Sequence, residues 1–145
     1  MKARELMTTD LEVVSREESV RRAAEIMRDG NIGIVPIVDD RSSMRLSGLI
    51  TDRDIAIRYV AEGGRDDATV ADVMTSGRVS AVSPDDDVKQ VMELMKRDQV
   101  RRVPVCEGDR IVGIIAQADI ATEGGSDRKT GDVVEKISEP GRTRR

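Results

Sequence analysis

The residues best placed to do chemistry lie in one short run, Gly48-Leu49-Ile50-Thr51-Asp52-Arg53-Asp54. Apolar residues give way to polar ones there, as where a strand hands over to a helix. Thr51 and Asp54 stand in S/T-x-x-D spacing, which suits two different roles. In one, the Thr51 hydroxyl caps the helix and the Asp54 carboxylate favours its positive end. In the other, the carboxylate accepts hydrogen bonds from the 2′- and 3′-hydroxyls of a ribose, with the threonine hydroxyl beside it. Both roles use the same geometry, so the spacing leaves them open.

Composition closes off other chemistries. The 145 residues include no histidine, which excludes imidazole base catalysis, Ser-His-Asp triads and His-ligated metal sites. The single cysteine, Cys106, ends an apolar run and reads as a small core residue. Phe and Trp are absent and Tyr59 is the one aromatic, so base-stacking platforms are missing. A net charge of −4 argues against a general nucleic-acid binder. Asp52 and Asp54 lie two apart and do not face each other as a catalytic pair would. The run Asp85-Asp86-Asp87 invites a metal reading, but acids are expected at a helix N-terminus and no metal is expected there. No apolar run approaches the length of a membrane span, and no signal peptide is evident, so a cytoplasmic location is expected.

The elements that must position Thr51 and Asp54 occur twice. Glu5-Leu6-Met7-Thr8 returns as Asp72-Val73-Met74-Thr75, 67 positions later. Val20, Met27, Val35 and Pro36 return as Val88, Met95, Val103 and Pro104 at an offset of 68, and Gly48-Leu49-Ile50 returns as Gly113-Ile114-Ile115 at 65. The first copy therefore holds three extra residues within its polar stretch 39–47. Each copy reads as a helical turn, a short strand (11–14, 79–82), an amphipathic helix, two β-rich runs (32–38 and 46–50; 100–106 and 111–115) and a second helix (52–62, about 117–123). Val20, Ala23, Ala24 and Met27, and then Val88, Val91, Met92 and Met95, mark the inner faces of the amphipathic helices. Thr69 is a candidate N-cap, and Ser83 or Asp85 another. The expected fold is α+β: two pseudo-symmetric repeats, each a small three-stranded sheet with two main helices, packed sheet to sheet. The expected division is 1–66, 67–124 and a tail, 125–145, with a short helix and a frayed end; residues 63–69 read as the linker between the copies.

The repeat, the paired Val35-Pro36-Ile37 and Val103-Pro104-Val105 strands and the Gly-x-x-Thr-x-x-Asp run resemble a pair of CBS domains, a tandem often called a Bateman module. The resemblance covers about residues 3–122 and is similar to small stand-alone bacterial pairs, including hypoxia- and stress-response proteins. It implies a non-enzymatic sensor that binds an adenosine-containing ligand in a cleft between the repeats. AMP, ADP or ATP is the leading candidate, with S-adenosylmethionine or NAD behind. It implies ribose contacts from Thr51 and Asp54, phosphate contacts from Arg101, Arg102 and Arg53, and an adenine pocket near Val14, Ile34 and Val35. Arg53 sits at a helix N-terminus, where open N–H groups favour anions. The resemblance also implies a homodimer, for which helices 19–30 and 85–98 are the candidate surface.

Two positions depart from the family pattern. Ala116 stands where the first copy has Thr51, although Asp119 remains, and Gly33 stands where the second copy has Arg101. One competent site is therefore expected, with the second cleft, around Val82, Val103 and Asp119, weaker or empty. The same departures support a different class of protein, one that binds no ligand and associates with a separately encoded partner.

Overall fold

The structure, a computed structural model, describes residues 1–75 and 79–123. In chain order these form α1 (Ala3–Leu6), β1 (Val14–Ser15), α2 (Val20–Gly30), β2 (Ile34–Val38), β3 (Leu46–Thr51), α3 (Asp52–Asp54) running into a π-helical stretch (Ile55–Val60), α4 (Val70–Val73), α5 (Val88–Asp98), β4 (Arg102–Glu107), β5 (Arg110–Ala116) and α6 (Gln117–Glu123). The expected α+β class and the two-repeat plan are both present. The tail expected over 125–145 lies outside the described residues.

The spatial units do not follow the 66/67 division. One compact unit is Glu12–Val79; the other joins Met1–Leu11 to the chain from Ser80 onward. Each unit therefore takes its opening helical turn from the other repeat's stretch of sequence. The cause is burial. Val70 and Val73 of α4 sit in the core of the first-repeat unit with Val14, Val20, Ala23, Ile26, Val35, Ile37 and Ile50. Residues 63–69 are accordingly no boundary between units: Ala68 is buried in that same core, and Thr69 bridges back to Ser19.

In the first-repeat unit, β1, β2 and β3 form a sheet in that order, with β1–β2 parallel and β2–β3 antiparallel. Ser19 caps α2, its side chain accepting from the Arg22 N–H at 3.1 Å, and Asn31 ends the helix in the left-handed region at φ 51°. The buried face is Val20, Ala23, Ile26 and Met27, so Ile26 takes the place expected for the half-buried Ala24. The outer face carries Arg21, Arg22, Arg28 and Asp29. The hairpin loop that holds the three extra residues is fastened by Arg41, which donates to the Val13 carbonyl at 3.0 Å and pairs with Glu18 at 2.9 Å. Burial alone would raise the Glu18 pKa, but the Ser15 N–H and the Arg41 guanidinium outweigh it and hold the carboxyl below its usual range.

The second-repeat unit repeats the plan with a smaller sheet. β4 and β5 pair antiparallel, and the third strand expected over 79–82 shrinks to one parallel bridge between Val82 and Val105. Val88, Val91, Met92 and Met95 form the inner face of α5 as expected. Its N-cap is Asp87 rather than Ser83 or Asp85: the Asp87 carboxylate accepts from the Lys89 N–H at 3.1 Å. Asp85 instead meets Arg4 at 2.6 Å, and Asp86 accepts from the Ser83 N–H at 2.9 Å. The three acids thus serve three separate partners. Ala3 and Leu6 of α1 are buried in this core, and α1 is held by backbone hydrogen bonds from Ala3 to Asp86 and from Val88 to Met1, both 2.8 Å.

The two docked turns are equivalent. Thr8 and Ile114 exchange backbone hydrogen bonds of 2.8 and 3.1 Å, while the Thr75 N–H donates to the Leu49 carbonyl at 3.1 Å. Met7 lies over Gly113 as Met74 lies over Gly48.

Candidate functional site at the β3 to α3 junction

The β3 strand delivers Thr51 to the start of α3 in extended conformation, where its side chain turns back onto the helix. The Thr51 Oγ1 accepts from the Asp54 N–H at 3.0 Å, and the Thr51 N–H donates to Asp54 Oδ2 at 2.9 Å. This reciprocal box satisfies two backbone donors that the first helical turn would leave open. The Asp52 N–H goes to the Gly33 carbonyl at 2.9 Å, tying the helix start to the residue before β2.

Asp54 is the only buried polar side chain among the described residues, at 8% exposure. A buried carboxylate is costly unless hydrogen-bonded, and here its partners come from three elements. Besides the Thr51 N–H, the Thr75 hydroxyl donates to Oδ1 and Oδ2 at 3.2 and 3.1 Å. Arg58, one turn on, places its Nε 4.0 Å from Oδ1 and donates from a terminal nitrogen to the Met74 carbonyl at 3.0 Å. Thr75 is the residue that reading the sequence missed. Its signal was the Met-Thr pair recurring at 67 positions, which marks a shared structural job without saying which side chain the threonine meets.

The structure brings together Thr51 and Asp54, with Arg53 exposed on the same short helix. Ile34 is half-buried, whereas Val14 and Val35 are wholly buried core residues of the first-repeat unit. Arg101 and Arg102 belong to the other compact unit, at the start of β4, and both are half-buried. There the Gln117 N–H donates to the Arg101 carbonyl at 2.7 Å, the counterpart of the Asp52–Gly33 bond. Asp119 keeps half of the box, accepting from the Ala116 N–H at 3.0 Å. Ala116 has no hydroxyl to return. Val82 and Val103 are buried in the second core.

Two α+β units built on one plan, each opened by a turn from the other repeat and each presenting a strand-to-helix carboxylate, define a tandem-repeat module. The chain belongs to the CBS-domain family, whose profile matches residues 3–60 and 70–124. It is similar to the CBS domain-containing protein YhcV of Bacillus subtilis (strain 168), with 33% identity over 135 residues, 93% of this chain and 94% of that one. Among solved structures it is similar to Hypoxic Response Protein I with two coordinated zinc ions, at a TM-score of 0.76 and 35% identity over 86% of this chain and 100% of that one. It is also similar to the CBS domain pair of protein MJ0100 in complex with 5-methylthioadenosine and S-adenosyl-L-methionine, at a TM-score of 0.72 and 28% identity over 84% and 94% of the two chains. CBS pairs are regulatory modules. No helix among the described residues is long and apolar enough to cross a membrane.

Proposed function

We propose that this chain is a non-enzymatic sensor that binds an adenosine-containing ligand at the Thr51–Asp54 junction. The observation that carries the reading is the buried Asp54 carboxylate at the carboxyl end of β3. Only hydrogen bonding makes such a group tolerable, and it is a strong acceptor for the paired hydroxyls of a ribose. Thr51 frames it, Arg53 supplies an exposed cation one residue away, and Arg101 and Arg102 are the further phosphate candidates. AMP, ADP or ATP is the favoured class. The MJ0100 pair, which is similar in fold and holds two adenosine derivatives, supports the class but not the individual ligand.

Titration calorimetry against AMP, ADP, ATP, NAD and S-adenosylmethionine tests this, with Asp54→Ala and Asp119→Ala in parallel. Saturable binding near one per chain is expected, lost in Asp54→Ala and kept in Asp119→Ala. Silence of the parent across the panel would overturn the sensor reading.

One observation favours the other reading, a ligand-free interaction protein: the Asp54 oxygens already serve the helix cap and Thr75. On that reading Asp54→Ala lowers stability and changes no affinity.

The chain is proposed to pair with a second copy. Ile57 and Val60 on the helix after β3 are 47% and 64% exposed, whereas the outer face of α2 is charged. A dimer by sedimentation, converted to monomer by Val60→Asp, is the expected result; a monomeric parent at micromolar concentration would overturn it.

A further inference from the structure

We infer that Thr75 is an internal competitor for the Asp54 carboxylate: its hydroxyl occupies both oxygens, and an incoming ligand's hydroxyls must displace it. The inference rests on the Thr51–Asp54 junction being the ligand site. Thr75 donates to Oδ1 at 3.2 Å and to Oδ2 at 3.1 Å, so one proton is shared between two acceptors. Two separate hydroxyls on adjacent carbons would give each oxygen its own donor, a stronger arrangement at a charged acceptor. Thr75 is exposed while Asp54 is buried.

The position of Thr75 in the chain makes the exchange consequential. It follows Met74, whose carbonyl is held by Arg58, and its own N–H is held by Leu49 of β3. The chain then leaves the first-repeat unit after Val79. Thr75 lies four positions before the end of that unit, and the Asp54 carboxylate helps to fasten it. Displacing its hydroxyl loosens the fastening, which links occupancy of the site to how firmly Thr75 is held. The coupling requires only that the ligand bind one arrangement better than the other.

The test combines Thr75→Val, Thr75→Ser, Thr51→Ala and the parent in two measurements. Calorimetry with the tightest adenosine ligand of the panel is expected to show Thr75→Val binding about tenfold tighter than the parent, the scale of one lost charge-assisted competitor. Thr75→Ser, which keeps the hydroxyl, is expected to bind like the parent. Equal or weaker binding by Thr75→Val overturns the inference. Amide hydrogen exchange needs no ligand. The protection factor at position 75 is expected to fall in Thr75→Val and to stay at the parent value in Thr75→Ser. Thr51→Ala weakens the cap but leaves the Thr75–Asp54 contact, so it reports any general loosening. A protection factor unchanged in Thr75→Val, or lowered equally in Thr51→Ala, overturns the fastening. A parent that binds no member of the panel removes the sensor reading by itself, and the exchange measurement still decides whether the hydroxyl fastens the segment.

Discussion

Met7 lies so closely across Gly113 that a Cβ on that glycine would come within 2.6 Å of the methionine Sδ, 2.8 Å of Cγ and 2.9 Å of Cβ. The equivalent contact, Met74 over Gly48, falls below 3.0 Å only at the sulfur, 2.7 Å, with the Thr75 backbone carbonyl at 3.3 Å and the methionine Cε at 3.6 Å. A thioether end can swing aside, but a Cβ fixed to the backbone cannot. Gly113→Ala is therefore expected to cost about 1–3 kcal/mol through overpacking, and Gly48→Ala less. Urea denaturation of the two variants checks the order.

The docking of α1 predicts where damage spreads. Leu6, 6% exposed, belongs to the core of the second-repeat unit although it lies in the first repeat's stretch of sequence. Leu6→Ala is expected to cost about 2–5 kcal/mol. Hydrogen exchange should quicken in α5, β4 and β5 while β1, β2 and β3 keep their protection. Equal loss in both sheets would contradict the assignment of α1 to the second unit.

The half-built box at Ala116 can be completed. The Asp119 carboxylate already accepts from the Ala116 N–H, and Ala116 carries no hydroxyl of the kind that Thr51 supplies in the first copy. Ala116→Thr is expected to stabilise by about 0.5–1 kcal/mol, and Thr51→Ala to destabilise by about 1 kcal/mol. Thermal midpoints moving in opposite directions would bear out the equivalence of the two junctions.

Cys106 sets a limit at high pH. Burial, with a smaller contribution from nearby Asp109, pushes its thiol up to about 11. In the unfolded chain the thiol ionises near pH 8.5. The folded pKa is raised, so the stability linked to this group is complete below about 8.5 and is lost as pH rises toward 11. A thiol reagent at pH 8 should label the folded protein slowly and the urea-unfolded protein at once. Cys106→Ala should flatten the decline of stability above pH 9.

The repeat, the inner face of α5 and the Thr51 cap were legible because each is a local pattern. Val88, Val91, Met92 and Met95 lie on one side of α5 whatever surrounds them. The destination of α1 was not legible, because apolar spacing says that Ala3 and Leu6 are buried but not in which core. The same limit hid the meeting of Thr75 with Asp54, 21 positions apart. Asp87 was missed as a cap because three consecutive aspartates carry the same local signal. The choice among them follows from Arg4 claiming Asp85. The third strand of the second unit was overread, since 79–82 has strand-like residues but secures one bridge to Val105.

The docking of α1 also orders events on the ribosome. The segment 12–79 holds everything its unit needs and can close as soon as it clears the exit tunnel. Met1–Leu11, made before any of it, has its partners in Pro84, Asp86, Val88 and Ile114. Contacts so distant along the chain form late. Residues 1–11 must therefore stay unclaimed, with Leu6 exposed, until β5 emerges. A nascent chain stalled between the two units would carry a free hydrophobic turn, a natural handle for a chaperone.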